Sequence, residues 1–576
     1  MKVMSYLCTR VILAACLVVA GCGQTEREPS ADWVFEGGKV FTAEPDAPWA
    51  EAVAIKGGRI VYVGSSDGAQ DLIGGETQVV DVGAGLLIPG LMDSHTHIFN
   101  GSYADVGVNL SLADTADKLA AALETIRDDN PGTAPVYARG WQNHLFPAHG
   151  PLASQLDEVF GDRIVILGSV DGHSTWFSSR ALREAGVDAS FPDPKPGVSF
   201  FERDPLTNAP LGTAREGAGG FIRTTFIPGD KTAYQNRLEA WLPRAAAAGL
   251  TSVFDATASA PTEEDAYKIW QALDQSGALS LRVFGSIIQN TSADGMTSRF
   301  EQYREEFTGE RLRLEAVKIV ADGVPEGHTA FLLTPYVDTP DEDYGYPMMS
   351  KPDLTAQITT YFASDIPVHV HAIGGAAVRM TLDAIADARR ATGNLTVRAT
   401  IAHMDFVSAD DIPRFSKLNV TAQTSIQWAA RDPSYFNIGG FVGMQKVEEA
   451  YPIRSLMDAG ANQSFGADWP ASAYLSTYKP LELLEAAVTR KLPGEASMPA
   501  RNEAEAISLE EAIIAMTRNT AIQLGELERL GTLAVGKEAD LVLLANDLFS
   551  IDPNTIHSTE VRMTMVGGEV VHEIGR

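Results

Sequence analysis

Cysteine is almost absent from this sequence. The three present, Cys8, Cys16 and Cys22, all fall within the first 22 of 576 residues, and the remaining 554 contain none. No disulfide can therefore staple a fold made by those 554 residues. Positive charge is scarce as well: 45 Lys and Arg stand against 75 Asp and Glu, a formal net charge of −30. That balance argues against nucleic-acid binding, which concentrates Lys and Arg against phosphate, and against docking on anionic lipid through a basic surface. Long hydrophobic runs are missing too. The ten-residue run Val11–Ala20 is about half of what a membrane-spanning helix needs, and no later segment supplies a span. What is present, 45% hydrophobic and 21% charged residues, is close to a globular average and excludes a largely disordered or collagen-like chain. At ~150 residues per domain the length allows about four domains, or fewer if one is a large α/β barrel.

The early cysteines sit in a pattern of their own. Met1–Gly21 carries Lys2 and Arg10, then the apolar run, and no acid, which reads as a secretory signal over residues 1–21. The boundary Val19-Ala20-Gly21-Cys22 resembles the lipobox of bacterial lipoproteins. That resemblance implies cleavage before Cys22 and lipidation of Cys22, and so an exported protein held to a membrane by its N-terminal lipid alone. Gly23 replaces the aspartate that retains many such proteins at the inner membrane, which in a Gram-negative host implies the outer membrane, facing the periplasm. The mature chain would have 555 residues, a charge of −32 and one lipid-bearing cysteine. Without disulfides it must be held by its core, by bound metal, or by both. The polar stretch GQTEREPSAD (23–32) suits a tether, so 22–32 is assigned that role.

From Trp33 the pattern alternates as β-strands do, in WVFEGGKVFT and EAVAIKGGRIVYVG, and the texture returns near the end in EADLVLLAND and VRMTMVGGEVVHE. Strands at both ends predict one small β-sandwich assembled from residues 33–85 and from 511–576, the latter also carrying the end of the barrel. Between them run short apolar strands separated by helical stretches: LLIPGLMDSH (86–95), TSVFDA (251–256), LRVFGSI (281–287), EAVKIVADG (315–323), PVHVHAIG (367–374), ATIAHMD (399–405), VTAQTS (420–425) and QSFGADW (463–469). Eight such strands predict an α/β fold, a (β/α)₈ TIM-like barrel over 86–510. The first two are too far apart for one βα unit, so residues about 110–235 are an insertion.

Only eleven histidines occur, and their placement is ordered. His95 and His97 lie two apart at the end of the first strand, on one face. His371 closes the fifth strand, His403 the sixth and Asp468 the eighth. In a barrel the C-terminal strand ends meet around one cavity, so these five ligand-type side chains converge there. Imidazole with carboxylate suits Zn²⁺ or a related divalent ion. His369, two residues before His371, reads as a supporting residue deeper in the barrel.

These residues resemble the amidohydrolase superfamily, specifically its family 3 (YtcJ-like) proteins. The matching motifs are PGLMDSHTH (89–97), Lys318 with Asp322-Gly323 in VKIVADG, HAIG (371–374), His403 in IAHMD, FGADWP (465–470), DGHSTWFSSRAL (171–182) and GTLAVGKEADLVLL (531–544). The resemblance covers essentially all of the mature chain, in the family's order. It implies that Lys318, as a neutral amine, adds CO₂ to become a carbamate that bridges two ions. One ion would then be held by His95, His97 and Asp468, the other by His371 and His403. The plainer alternative is a lysine ion-paired to Asp322, with one ion. Trp141, Asp171, His173 and Asp322 are the candidate substrate contacts. Gly375 and Ala402 stand where many relatives carry an aspartate and a glutamate.

The expected activity is hydrolysis of an amide-type C–N bond, other than a peptide bond, in a small molecule by a metal-activated hydroxide, with Asp468 as proton shuttle. The alternatives are an esterase, lactonase or cyclic amidine hydrolase on the same site, or a lipoprotein that binds a ligand without turnover. Self-association into a homo-oligomer is left open.

Overall fold

The computed structural model describes residues 30–574, apart from 105–107, 112, 148, 171–173, 197–198, 216, 227–229, 340–341 and 472–476. The signal, Cys22, Asp171 and His173 therefore lie outside the described residues. Eight parallel strands form the central sheet: β1 (Leu91–Thr96), β2 (Leu250–Asp255), β3 (Arg282–Ile288), β4 (Leu312–Val320), β5 (Val368–Ala372), β6 (Ala399–His403), β7 (Val420–Ser425) and β8 (Asn462–Gly466). Each pairs with its successor in chain order, as right-handed βα crossovers require. The seam between β8 and β1 closes at the C-terminal end: the Asp468 amide donates to the His95 carbonyl (2.7 Å) and the His97 amide to the Trp469 carbonyl (2.8 Å). The strands are buried on both faces, so their sequences read as short apolar runs rather than alternations. Met92, Phe254, Phe284 and Ala316 of β1–β4 pack on Ala521, Leu524 and Leu530, which follow the barrel in the chain.

Two smaller sheets build a β-sandwich from both chain ends. One orders Arg59–Gly64, Ala52–Lys56, Trp33–Glu36 and Gln78–Asp81; the other orders Glu569–Glu573, Val561–Val566, Leu541–Leu544, Leu86–Pro89, Lys39–Phe41 and Trp49–Ala50. Phe35, Val53 and Ile60 of the first bury against Leu87, Leu541, Leu543 and Met563 of the second. The segment 86–95, read from sequence as one barrel strand, is two strands divided at Gly90. Leu86–Pro89 pairs with Leu541–Leu544 in the sandwich, and only Leu91–Thr96 joins the barrel. Continuous burial on both sides of the break hides it from a hydrophobicity pattern.

Between β1 and β2 the chain makes a subdomain around a six-stranded mixed sheet running from Val108–Asn109 through Val136–Trp141, Val165–Ser169, Ser174–Phe177 and Pro210–Arg215 to Phe201–Arg203. It has apolar clusters of its own on the two sides of that sheet. Among the described residues no helix is long and apolar enough to cross a membrane.

Candidate active site

The six side chains singled out as metal ligands come from five strands and meet at the C-terminal end of the barrel. His95 ends β1 and is fully buried, Lys318 lies on β4, His371 on β5, His403 ends β6, and Asp468 follows β8. His97 follows His95 and keeps part of its ring open. Asp468 Oδ1 lies 3.1 Å from His97 Nε2 and 3.4 Å from His95 Nε2, and Asp468 Oδ2 lies 3.6 Å from His403 Nδ1. Lys318 Nζ is 3.3 Å from His95 Nε2. The His371 and His403 rings are 4.5 Å apart, and those of His95 and His403 4.7 Å.

Local sequence explains the closeness. Gly466 ends β8 where a Cβ would come within 2.5 Å of the His95 amide nitrogen, so only glycine lets β8 approach β1 at this height. Asp93 Oδ1 then ties the two strands, accepting from the His95 amide (3.0 Å) and the Ala467 amide (3.1 Å). His403 and Asp468 both have left-handed backbone, with φ of 75° and 51°. Non-glycine residues in that region store strain, which clusters at functional sites.

Supporting contacts orient the imidazoles. His369 Nε2 is 2.9 Å from His95 Nδ1, and its ring stacks on Phe254, so His95 presents Nε2 to the site. The Ser425 hydroxyl is 3.2 Å from His403 Nδ1, and Trp428 stacks on the His403 ring. Burial and like charge keep His95, His371 and His403 neutral. Burial, then the neighbouring Lys318, holds His95 well below the ordinary imidazole range and pushes His371 down to about 3; burial and His371 do the same to His403. Burial pushes the Lys318 amine down to about 7. Neutral imidazoles keep a lone pair free for a metal.

Two of the substrate contacts expected from sequence have other work. Trp141 is fully buried inside the inserted subdomain, packed on Phe146 and Trp176, and its indole N–H donates to the Leu167 carbonyl (2.9 Å). It is a core residue, because its ring has a complete apolar coat within its own subdomain. Asp322 is also buried. Its carboxylate accepts from the amides of Phe331 (2.9 Å), Ile373 (2.9 Å) and Gly374 (2.8 Å), with Oδ1 3.8 Å from His371 Nε2. It clasps the turn that follows His371.

Sequence reading passed over Asp93 and Asp255. Asp255 ends β2, accepts from the Trp270 indole N–H (3.2 Å), and is held at about 6, burial raising it and His97 lowering it. The available signal was an acid closing the otherwise apolar run TSVFD. Trp428 gave none, since nothing local marks a tryptophan after β7 that will lie on the histidine ending β6.

A family model described as the amidohydrolase family matches residues 78–572. The chain belongs to this family and is a hydrolase. It is 26% identical over 543 residues to a putative amidohydrolase, YtcJ, of Bacillus subtilis, covering 94% of this chain and 99% of that one. It is 25% identical over 560 residues to an N-substituted formamide deformylase of Arthrobacter pascens, covering 94% and 98%. Among solved structures, an uncharacterized metal-dependent hydrolase from Pyrococcus furiosus superposes with a TM-score of 0.67 at 23% identity, over 88% of this chain and 98% of that one. Within this amidohydrolase, His95, His403 and Asp468 offer ligand atoms that all lie within 4.8 Å of one another, a cluster suited to a divalent metal.

Proposed function

We propose that this chain hydrolyses an amide-type C–N bond in a small molecule, an N-formyl or N-acyl amine, and that His95, His97, His371, His403, Asp468 and carboxylated Lys318 hold one or two divalent ions, zinc by donor type. The observation that carries the metal reading is Asp468 Oδ1. It is buried beside two imidazole nitrogens yet hydrogen-bonded to neither. Ligands at ~2.0–2.2 Å on a tetrahedral ion stand about 3.4 Å apart with their lone pairs turned inward, and the spacings of 3.1 and 3.4 Å agree with that arrangement. An ion bound there supplies Lewis-acid polarisation of the carbonyl and an acidified water.

The chain's own groups do the rest. Asp468 takes a proton from the attacking water and returns it to the leaving nitrogen. His369 keeps His95 Nε2 turned toward the site. Lys318, its proton loosened by burial, is neutral often enough near pH 7 to form an N–C bond to CO₂, losing a proton to give the carbamate. The similarity to a formamide deformylase supports the amide reading, and the signal and lipobox residues support a lipid anchor at Cys22, outside the cytoplasm. A hydrolysis screen of N-formyl and N-acyl amines, with esters and lactones in parallel, tests the reading. Amide turnover is expected, reduced about 10²–10⁴-fold in Asp468→Asn. Turnover confined to esters or lactones, or an undiminished Asp468→Asn rate, overturns it.

A further inference from the structure

The convergent side chains are not equally open. His95, His403 and Asp468 are nearly closed off, whereas the His97 and His371 side chains keep 21% and 17% of their surface. Access to the centre therefore runs past those two rings, and apolar side chains cover glycines on either flank of His371, Gly375 and Gly323. Phe331, in the loop after β4, lies on the turn after β5, its carbonyl accepting from the Ala376 and Ala377 amides. Two residues on, Leu333 packs over Gly375, with Cδ1 3.2 Å from where a Cβ would stand. On the other flank Met348 covers Gly323, its Cε 3.4 Å from the corresponding position, and the Gly323 carbonyl is 3.5 Å from His371 Nε2. Trp428 lies parallel to His403 at 5.5 Å, with its indole N–H buried and unpartnered. Leu333 and Met348 are left 40% and 48% exposed, and Val337, further along the same loop, 61%. Apolar side chains left open on the turns that flank a ligand histidine offer a surface to an apolar group.

We propose that Leu333, Met348 and Trp428 form a subsite for an apolar alkyl or aryl substituent of the substrate, so that the enzyme selects lipophilic amides over small polar ones. This rests on the amide-hydrolase reading. Glycine at 375 leaves Leu333 room to lie close, since a Cβ there would stand 3.2 Å from Leu333 Cδ1 and press on it. A substituent laid on this lip covers apolar surface at about 25 cal/mol per Å².

Two homologous series test the subsite on the metal-loaded full chain: N-alkylformamides and N-methyl alkanamides, each with one to six carbons, alongside equivalents ending in a carboxylate. In at least one series kcat/KM is expected to climb about twofold to fourfold per methylene, with the carboxylate-ended members at least tenfold worse. Leu333→Gln and Met348→Glu are expected to flatten that climb. The readout is the six-carbon to one-carbon ratio within each variant, which does not depend on the fraction of protein folded. Flat or falling series with the shortest amides still hydrolysed, or slopes unchanged in both variants, overturn the subsite and leave the hydrolase reading standing. No turnover of any amide overturns both.

Discussion

Replacing Asp322 by alanine separates the clasp seen here from the substrate contact expected from sequence. The carboxylate accepts three backbone N–H groups at 2.8–2.9 Å, from Phe331, Ile373 and Gly374. A hydrogen bond to a charged acceptor contributes about 1.5–3 kcal/mol, but three that share one carboxylate are not additive. Burial opposes them, pushing the Asp322 carboxyl up to about 7, so ionisation there is costly. Truncation leaves three amides facing a vacated hole, and the expected loss is about 3–5 kcal/mol. At about 2 °C per kcal/mol for a large domain, the melting temperature falls by about 6–10 °C. Asp322→Asn keeps one acceptor oxygen and turns an NH₂ toward an N–H, so it is expected to lose roughly half as much. Thermal melts of both variants, with kcat/KM measured well below the transition, form the assay. A large drop in kcat/KM at an unchanged melting temperature would refute the clasp and restore Asp322 to the substrate.

Three further outcomes follow. Lys318 in the folded chain titrates at about 7, below its ordinary 10.5. The unfolded chain therefore holds that proton over a window where the folded chain has shed it, and stability of the metal-free protein from this group rises with pH between about 7 and 10. Metal uptake by that protein should accelerate with added bicarbonate as pH rises through about 7, and Lys318→Met should abolish the bicarbonate effect; an effect that persists contradicts the carbamate. His369→Phe removes the 2.9 Å contact that orients His95 and should weaken metal affinity about 10–100-fold by competition titration, with an unchanged affinity assigning His369 to packing alone. Cys22→Ser should release the protein from membranes into the soluble fraction on cell fractionation, and continued membrane association removes the lipid anchor.

Much of the fold and the site was legible because the determining signals are local. A histidine or aspartate closing an apolar strand is visible in one dimension, and parallel strands must bring their C-terminal ends to one place. His95, His97, Lys318, His371, His403 and Asp468 are therefore together, as their strand positions require. What escaped depends on long-range packing. Gly90 divides a uniformly buried run between two domains, which no periodicity reveals. Trp141 reads as a substrate contact by resemblance to the family, but the inserted sheet supplies its own core and takes the ring into it. Asp322 reads as an ion-pair partner for Lys318 or a substrate contact until the turn after β5 is seen to fold back over it. Trp428 meets His403 only through the crossover after β7.

Metal content read together with rate tests the central claim most directly. Purified mature chain should carry about one to two equivalents of a divalent ion. Chelation should abolish amide hydrolysis, and re-addition of zinc should restore it in the wild type but not in His95→Ala or His403→Ala. Full activity in chelated, metal-free protein, or wild-type metal content in both histidine variants, would contradict the account.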